Sequence, residues 1–240
     1  QAERRYRQYL ELGRKYSGTK GNIEPEKSCV IALEGLGAVA QARKDEAAVK
    51  RYRFESLAAF RQYFERVRTE EVWKLFLQKN SAVFQRCQGP EELLQAGAQL
   101  SQALEVWRGK WEKNGSLQAA CRLLEGWIEL GKALAPQAPE EARSAFDQAL
   151  QFAQGLPEKQ RGPEIENLVA ETYSSKARAL RGDDDSRKED LKQAVAMWSR
   201  LMEIDAINGA QYAASIKRAK WKLRSLEWKK GEKQPENPSH

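Results

Sequence analysis

Trp221 and Trp228 stand seven residues apart near the end of the 240-residue chain, with Lys217 and Arg224 between or beside them. From Ile216 to Lys230 there are seven Lys or Arg and one acid, Glu227, a local charge of +6. On a helix turning about 100° per residue, Tyr212, Ile216, Ala219, Leu223 and Leu226 form one apolar seam, and the two tryptophans fall opposite it among the cations. An exposed Trp flanked by Lys and Arg suits a protein interface, a nucleic acid or an anionic membrane surface. The competing reading is that a neighbouring helix, a missing segment or a second copy covers both rings.

Catalytic chemistry finds little support. The single histidine, His240, is the last residue, which excludes a His-based triad and a His-rich metal site from any folded core. Cys29, Cys87 and Cys121 form neither a CxxC pair nor a dense disulfide pattern, so they read as small hydrophobes in a reducing compartment. Asp183, Asp184 and Asp185 are adjacent and cannot all converge on one ion; they read as a turn with acids at a helix start. Phosphate-binding Gly-rich loops and a GxSxG motif are absent. Neither enzymatic activity nor a cofactor, metal or small-molecule substrate is expected. Arg51, Arg53, Arg61, Arg66 and Arg68 interleave with Tyr52, Phe54, Phe60, Tyr63 and Phe64. On a helix that pattern means faces that pack or snorkel more often than a base-stacking platform.

The elements that must carry these residues are helical. Lys plus Arg is 41 against 34 Asp plus Glu, a net charge of +7, and there are only eight prolines. Residues 69–170 carry 11 basic and 14 acidic residues, so the basicity gathers at the ends rather than along a continuous track. No apolar run approaches the roughly 18 residues of a membrane span. Helical periodicity predicts ten helices, near 2–17, 25–43, 45–68, 69–88, 90–113, 116–134, 139–155, 163–181, 186–204 and 208–229. Short loops predict antiparallel hairpins. Residues 1–229 read as a single domain and 230–240 as a polar tail. Trp73, Trp107, Trp111, Trp127 and Trp198 sit at helical spacing among apolar residues and are expected in the core. The chain opens at Gln1 without a signal-peptide pattern, and the expected compartment is intracellular and reducing, cytoplasm or nucleus.

One stretch is more specific. Trp127-x-x-Leu130-Gly131-x-x-Leu134 is followed by Ala142-x-x-x-Phe146-x-x-Ala149. A small residue at the eighth position lets two helices approach, and large residues a turn away fill the gap. Looser copies are Leu33-x-x-Leu36-Gly37-x-x-Ala40 with Ala48 and Tyr52, a weak one around Ala82, and Ala177 with Leu180, Ala194, Trp198 and Leu201. This resembles the tetratricopeptide repeat (TPR), although the small positions at 37, 82, 131 and 177 step by 45, 49 and 46 residues. The family's own step is about 34.

The resemblance implies an all-α fold, a right-handed stack of antiparallel helical hairpins forming a TPR-like α-solenoid of about ten helices. It further implies that positions five, nine and twelve of each repeat line a concave groove. These are Glu34, Ala38 and Gln41; Lys79, Val83 and Arg86; Ile128, Lys132 and Ala135; Ser174, Arg178 and Arg181. Lys79, Arg86, Lys132, Arg178 and Arg181 would make that groove attractive to an acidic segment. No repeat has Asn at the ninth position, which disfavours chaperone-tail binding. The function expected is a non-enzymatic scaffold or adaptor for another protein. It would use the groove, the terminal helix with Lys217, Trp221, Arg224 and Trp228, or both, and a homodimer through the terminal helix also fits. The alternative is a helical module for RNA or anionic membranes.

Overall fold

A computed structural model describes residues 1–19, 21–180 and 184–228, with Trp228 described by its backbone alone. Among the described residues every regular element is a helix. They are α1 (Ala2–Tyr16), α2 (Glu24–Ala42), α3 (Glu46–Val67), α4 (Glu70–Phe84), α5 (Pro90–Asn114), α6 (Leu117–Leu134), α7 (Pro139–Gly155), α8 (Pro163–Ala179), α9 (Asp184–Ile204) and α10 (Gly209–Trp228). Single 3-10 turns at Glu158–Gln160 and Ala206–Asn208 were not expected.

The boundaries follow local chemistry. Asp45, Thr69 and Ser116 each accept the backbone N–H three residues on, closing the first turns of α3, α4 and α6. Pro25, Pro139 and Pro163 sit in first turns, where a missing N–H costs nothing. α3 stops at Arg68, whose left-handed backbone (φ 55°) turns its N–H onto the Phe64 carbonyl at 2.8 Å. α4 ends at Phe84, short of Gly89-Pro90, because the chain already turns through Gln85–Cys87. α9 begins two residues early: Asp184 and Asp185 belong to its first turn, where they pair with Arg187 (2.9 Å) and Lys188 (3.1 Å).

Contacts gather the chain into two compact units, Gln1–Gly109 and Lys110 onward, meeting inside α5. The sequence shows no boundary there. In the first unit α2 packs between α1 and α3, and α3 packs on α4. Its centre is aromatic, with the ring of Phe64 5.2 Å from Trp73 and 5.8 Å from Trp107, and Trp73 6.0 Å from Trp107. In the second unit α6 packs on α7 and α8, α8 on α7 and α9, and α10 on α9. Within each unit, helices therefore pack mainly on their chain neighbours.

The α6–α7 hairpin turns on Gly131. A methyl group there would lie 2.7 Å from the Phe146 ring, and Ala142, Phe146 and Ala149 are fully buried. Gly131→Ala must displace a packed ring and is expected to cost about 1–3 kcal/mol. A shift in the urea midpoint without a change in slope is the signature to measure. Gly37 differs: its nearest neighbour would be Tyr52 Cβ, at an ordinary 3.7 Å. The close approach in α2 is at Gly35, against the Tyr6 ring, one position the repeat alignment does not use.

Candidate functional site

Gly37, Ala38 and Ala82 carry too little bulk to fill the space between α2, α3 and α4. The result is a cleft of about 340 Å³ floored by Leu33, Leu57 and Phe60. All six groove positions expected from the first two repeats, Glu34, Ala38, Gln41, Lys79, Val83 and Arg86, line it. Lys79 reaches across to pair with Glu34, which spends its charge inside the cleft. A second hollow, about 700 Å³, shares Gln41, Val49, Arg53 and Arg86 with the first and extends to Lys44, Lys50 and Glu92. The two form one trough. Lys50 holds Glu92 at 2.7 Å, and that bond keeps the Glu92 carboxyl below its ordinary range. Arg53 donates to the Arg86 carbonyl at 3.2 Å. Among the described residues neither guanidinium meets a carboxylate, so Arg53 and Arg86, with the exposed Lys44 and Glu46 at the far end, are charges the trough leaves to a ligand.

The second unit departs from the expectation. Ile128 and Ser174 are buried, not groove-lining, because α6 and α8 are each enclosed on more than one side. Lys132 sits between Glu129 (2.9 Å) and Glu171 (2.8 Å). Burial alone would depress its pKa, but the two carboxylates outweigh that and raise it, so it is a fixed, neutralised cation. Arg178 is exposed and donates to its own helix at Ser174 O. Arg181 lies outside the described residues. The five-residue basic groove thus reduces, among what is described, to Arg86 in the first unit and a lone Arg178 in the second.

The terminal helix matches its sequence reading. Tyr212, Ala219 and Leu226 are buried and Ile216 and Leu223 half-buried, in a cluster with Ala177, Leu191, Trp198 and Leu201. Tyr212 donates to Asp205 at 2.7 Å; burial and that carboxylate push its pKa up to about 12. Trp221 is 42 % exposed on the opposite side, with Lys217 and Arg224 also exposed. The Trp228 side chain lies outside the described residues.

Other expectations resolve into packing. Trp73, Trp107, Trp127 and Trp198 are buried. Trp111 is half-buried, edge-on to Phe152 at 4.9 Å, its Nε1 donating to Gln160 at 3.4 Å. On α3, Phe54, Phe60 and Phe64 face the core, Arg61 pairs with Glu65, and Arg51 lies over the Tyr52 ring at 4.7 Å. Cys29 and Cys121 are buried and Cys87 half-buried. Burial raises all three thiol pKa values, Cys121 to about 12 with Glu164 adding to it, so none is held as a thiolate. Among the described residues no three His, Cys, Asp or Glu are placed to hold a metal ion, and no helix is long and apolar enough to cross a membrane.

Sequence reasoning missed one site. Glu26, 2 % exposed, accepts from Arg66 Nη1 at 2.9 Å, the Gly18 amide at 2.9 Å and Ser17 Oγ at 3.2 Å. Arg66 also donates to the Thr19 carbonyl at 2.7 Å. This pair ties the α1–α2 loop to the end of α3.

No protein-family model and no curated protein matches the chain. Among solved structures, a chain of the "DHF58 filament" aligns over 95 % of both chains at 15 % identity, with a TM-score of 0.28. The de novo designed helical repeat protein DHR64 aligns over 95 % of both at 14 % identity, with a TM-score of 0.22.

Proposed function

We propose that the chain is a non-enzymatic binding module that takes a segment of another polypeptide into the α2–α3–α4 cleft. The observation that carries this reading is that six positions chosen from sequence alone converge on one open cleft with an apolar floor. An apolar floor supplies affinity, and a few polar groups at the rim orient the ligand. The trough's extension towards α5 favours an elongated chain over a compact small molecule. Arg53 and Arg86 favour carboxylates in that chain, which guanidinium groups grip with paired hydrogen bonds. TPR-like use of the inner helix faces is the finer form of the same proposal.

The test is selection of a random peptide library on the wild-type protein and on a variant carrying Ala38→Trp and Ala82→Trp. Both alanines are exposed and line the cleft, so the new rings fill it without entering the core. Peptides selected by the wild type should lose at least about tenfold in affinity on the filled variant, equivalent to 1.4 kcal/mol. Enrichment of the same peptides on both proteins would remove the cleft from the function.

A further inference from the structure

α10 presents a second surface that the cleft does not explain. Measured from Trp221 at about 100° per residue, Ala210 and Ala214 fall within about 20° of its direction, and Ile207 precedes α10 on the 3-10 turn Ala206–Asn208. Lys217 and Arg224 then lie on one flank of this line and Arg218 on the other, within about 60°. All of these side chains are exposed, Ile207 by 95 %. Ile204, the last residue of α9, is 63 % exposed. The opposite seam, Tyr212, Ala219 and Leu226, is buried where α10 packs on α9, so the orientation of this face is fixed.

The charges are the second observation. Elsewhere in this unit Lys132, Lys176, Arg187, Lys188 and Arg200 each meet a carboxylate, whereas Arg161 and Arg178 donate to backbone carbonyls. On α10, Lys217, Lys220 and Arg224 meet none among the described residues, and Arg218 donates only to Ser215 Oγ at 3.2 Å. Among the described residues these four cations meet no carboxylate and share the exposed side of α10 with Ala210, Ala214 and Trp221.

We infer that this face docks on an anionic bilayer. Ile207 and Trp221 would enter the headgroup boundary while Lys217, Arg218, Lys220 and Arg224 meet lipid phosphates and carboxylates. A convex ridge matches a plane, which demands no shaped groove from the partner. Trp prefers the headgroup level, long cationic side chains reach back to the anions, and each cation near such a surface adds to the attraction. A nucleic acid would use the cations but leave Ile204 and Ile207 unexplained, since strands bind through aromatic stacking and phosphate contacts. The helix stays fastened to α9 through its seam, so the docking is peripheral.

The experiment is co-sedimentation of the intact chain with vesicles of phosphatidylcholine, with and without about 30 % phosphatidylserine, at low and high salt. Binding to anionic vesicles should exceed binding to neutral ones by about tenfold or more and fall by a similar factor at about 0.5 M salt. The variant carrying Lys217→Glu and Arg224→Glu should drop to the neutral-vesicle level. Trp221→Ala should weaken binding several-fold without lowering the melting temperature. The charge-reversed variant alters only exposed side chains, so it reads the claim even if Trp221→Ala loses structure. Equal sedimentation with both vesicle types, or no effect of charge reversal, overturns the inference. So does tighter binding to an oligouridylate or to poly-glutamate than to the anionic vesicles, with the same sensitivity to charge reversal.

Discussion

Arg66→Met is expected to destabilise the protein by about 3 kcal/mol at neutral pH, the low end of what stranding one partner of a buried ion pair costs. The reason lies in Glu26. Its carboxylate is 2 % exposed, so burial alone would push its pKa up. The Gly18 amide, its own backbone amide, the Ser17 hydroxyl and the Arg66 guanidinium together outweigh burial and hold it below the ordinary value. Met replaces much of the Arg stem but leaves Glu26 without its counter-charge, and frees the Thr19 and Asn22 carbonyls that Arg66 also binds. Because Arg66 is itself a quarter exposed, water can partly fill its place, which is why the low end applies.

The pH dependence has a definite sign. A carboxyl whose folded pKa is depressed stabilises the fold above its unfolded pKa and loses that contribution as pH falls through the folded value. In the wild type the loss from Glu26 therefore begins as pH falls through the usual carboxylate range and is complete only below it. In Arg66→Met burial regains weight, the folded pKa rises, and protonation of Glu26 relieves the stranded charge. The gap in stability between the two proteins should then narrow as pH is lowered from 7 towards 4. Urea unfolding across that range measures it. A gap that stays constant with pH would mean that the guanidinium acts by packing rather than by charge.

This pair also marks the limit of what the sequence discloses. Helix positions were legible because caps, prolines and a 3.6-residue period are local signals, and the seam of α10 was legible for the same reason. The cleft was legible because a repeat alignment transfers the direction in which a side chain points. It failed at Ile128 and Ser174, where a third helix covers the face the alignment leaves open, and which helices stack on which is not a local property. It failed at Lys132 as well, since the neutralising Glu171 is 39 residues away. Glu26 looked like any acid in a helix's first turn, and Arg66 like one of several arginines on α3. Only the fold, by bringing residues 40 apart within 2.9 Å, makes them a pair.

Phe64→Ala should cost about 3–5 kcal/mol, the range for removing a fully buried aromatic ring. Phe64 is 0 % exposed and its ring meets Trp73 at 5.2 Å, Trp107 at 5.8 Å and Phe76 at 6.1 Å, joining three helices at one point. Those neighbours are themselves large and mutually packed, with Trp73 and Phe76 5.9 Å apart, so they cannot collapse into the vacated space. A cavity that stays open adds its own cost to the lost burial. Phe64→Leu keeps most of the volume and should cost less than half as much, whereas Tyr9→Ala, at a 60 % exposed position, should fall within about 0.5 kcal/mol of wild type. Urea midpoints of the three variants measure the series, and amide exchange should quicken first in α3, α4 and α5, the three helices whose aromatic side chains meet at Phe64. Equal losses for Phe64→Leu and Phe64→Ala would show that ring stacking, not filled volume, holds this centre together.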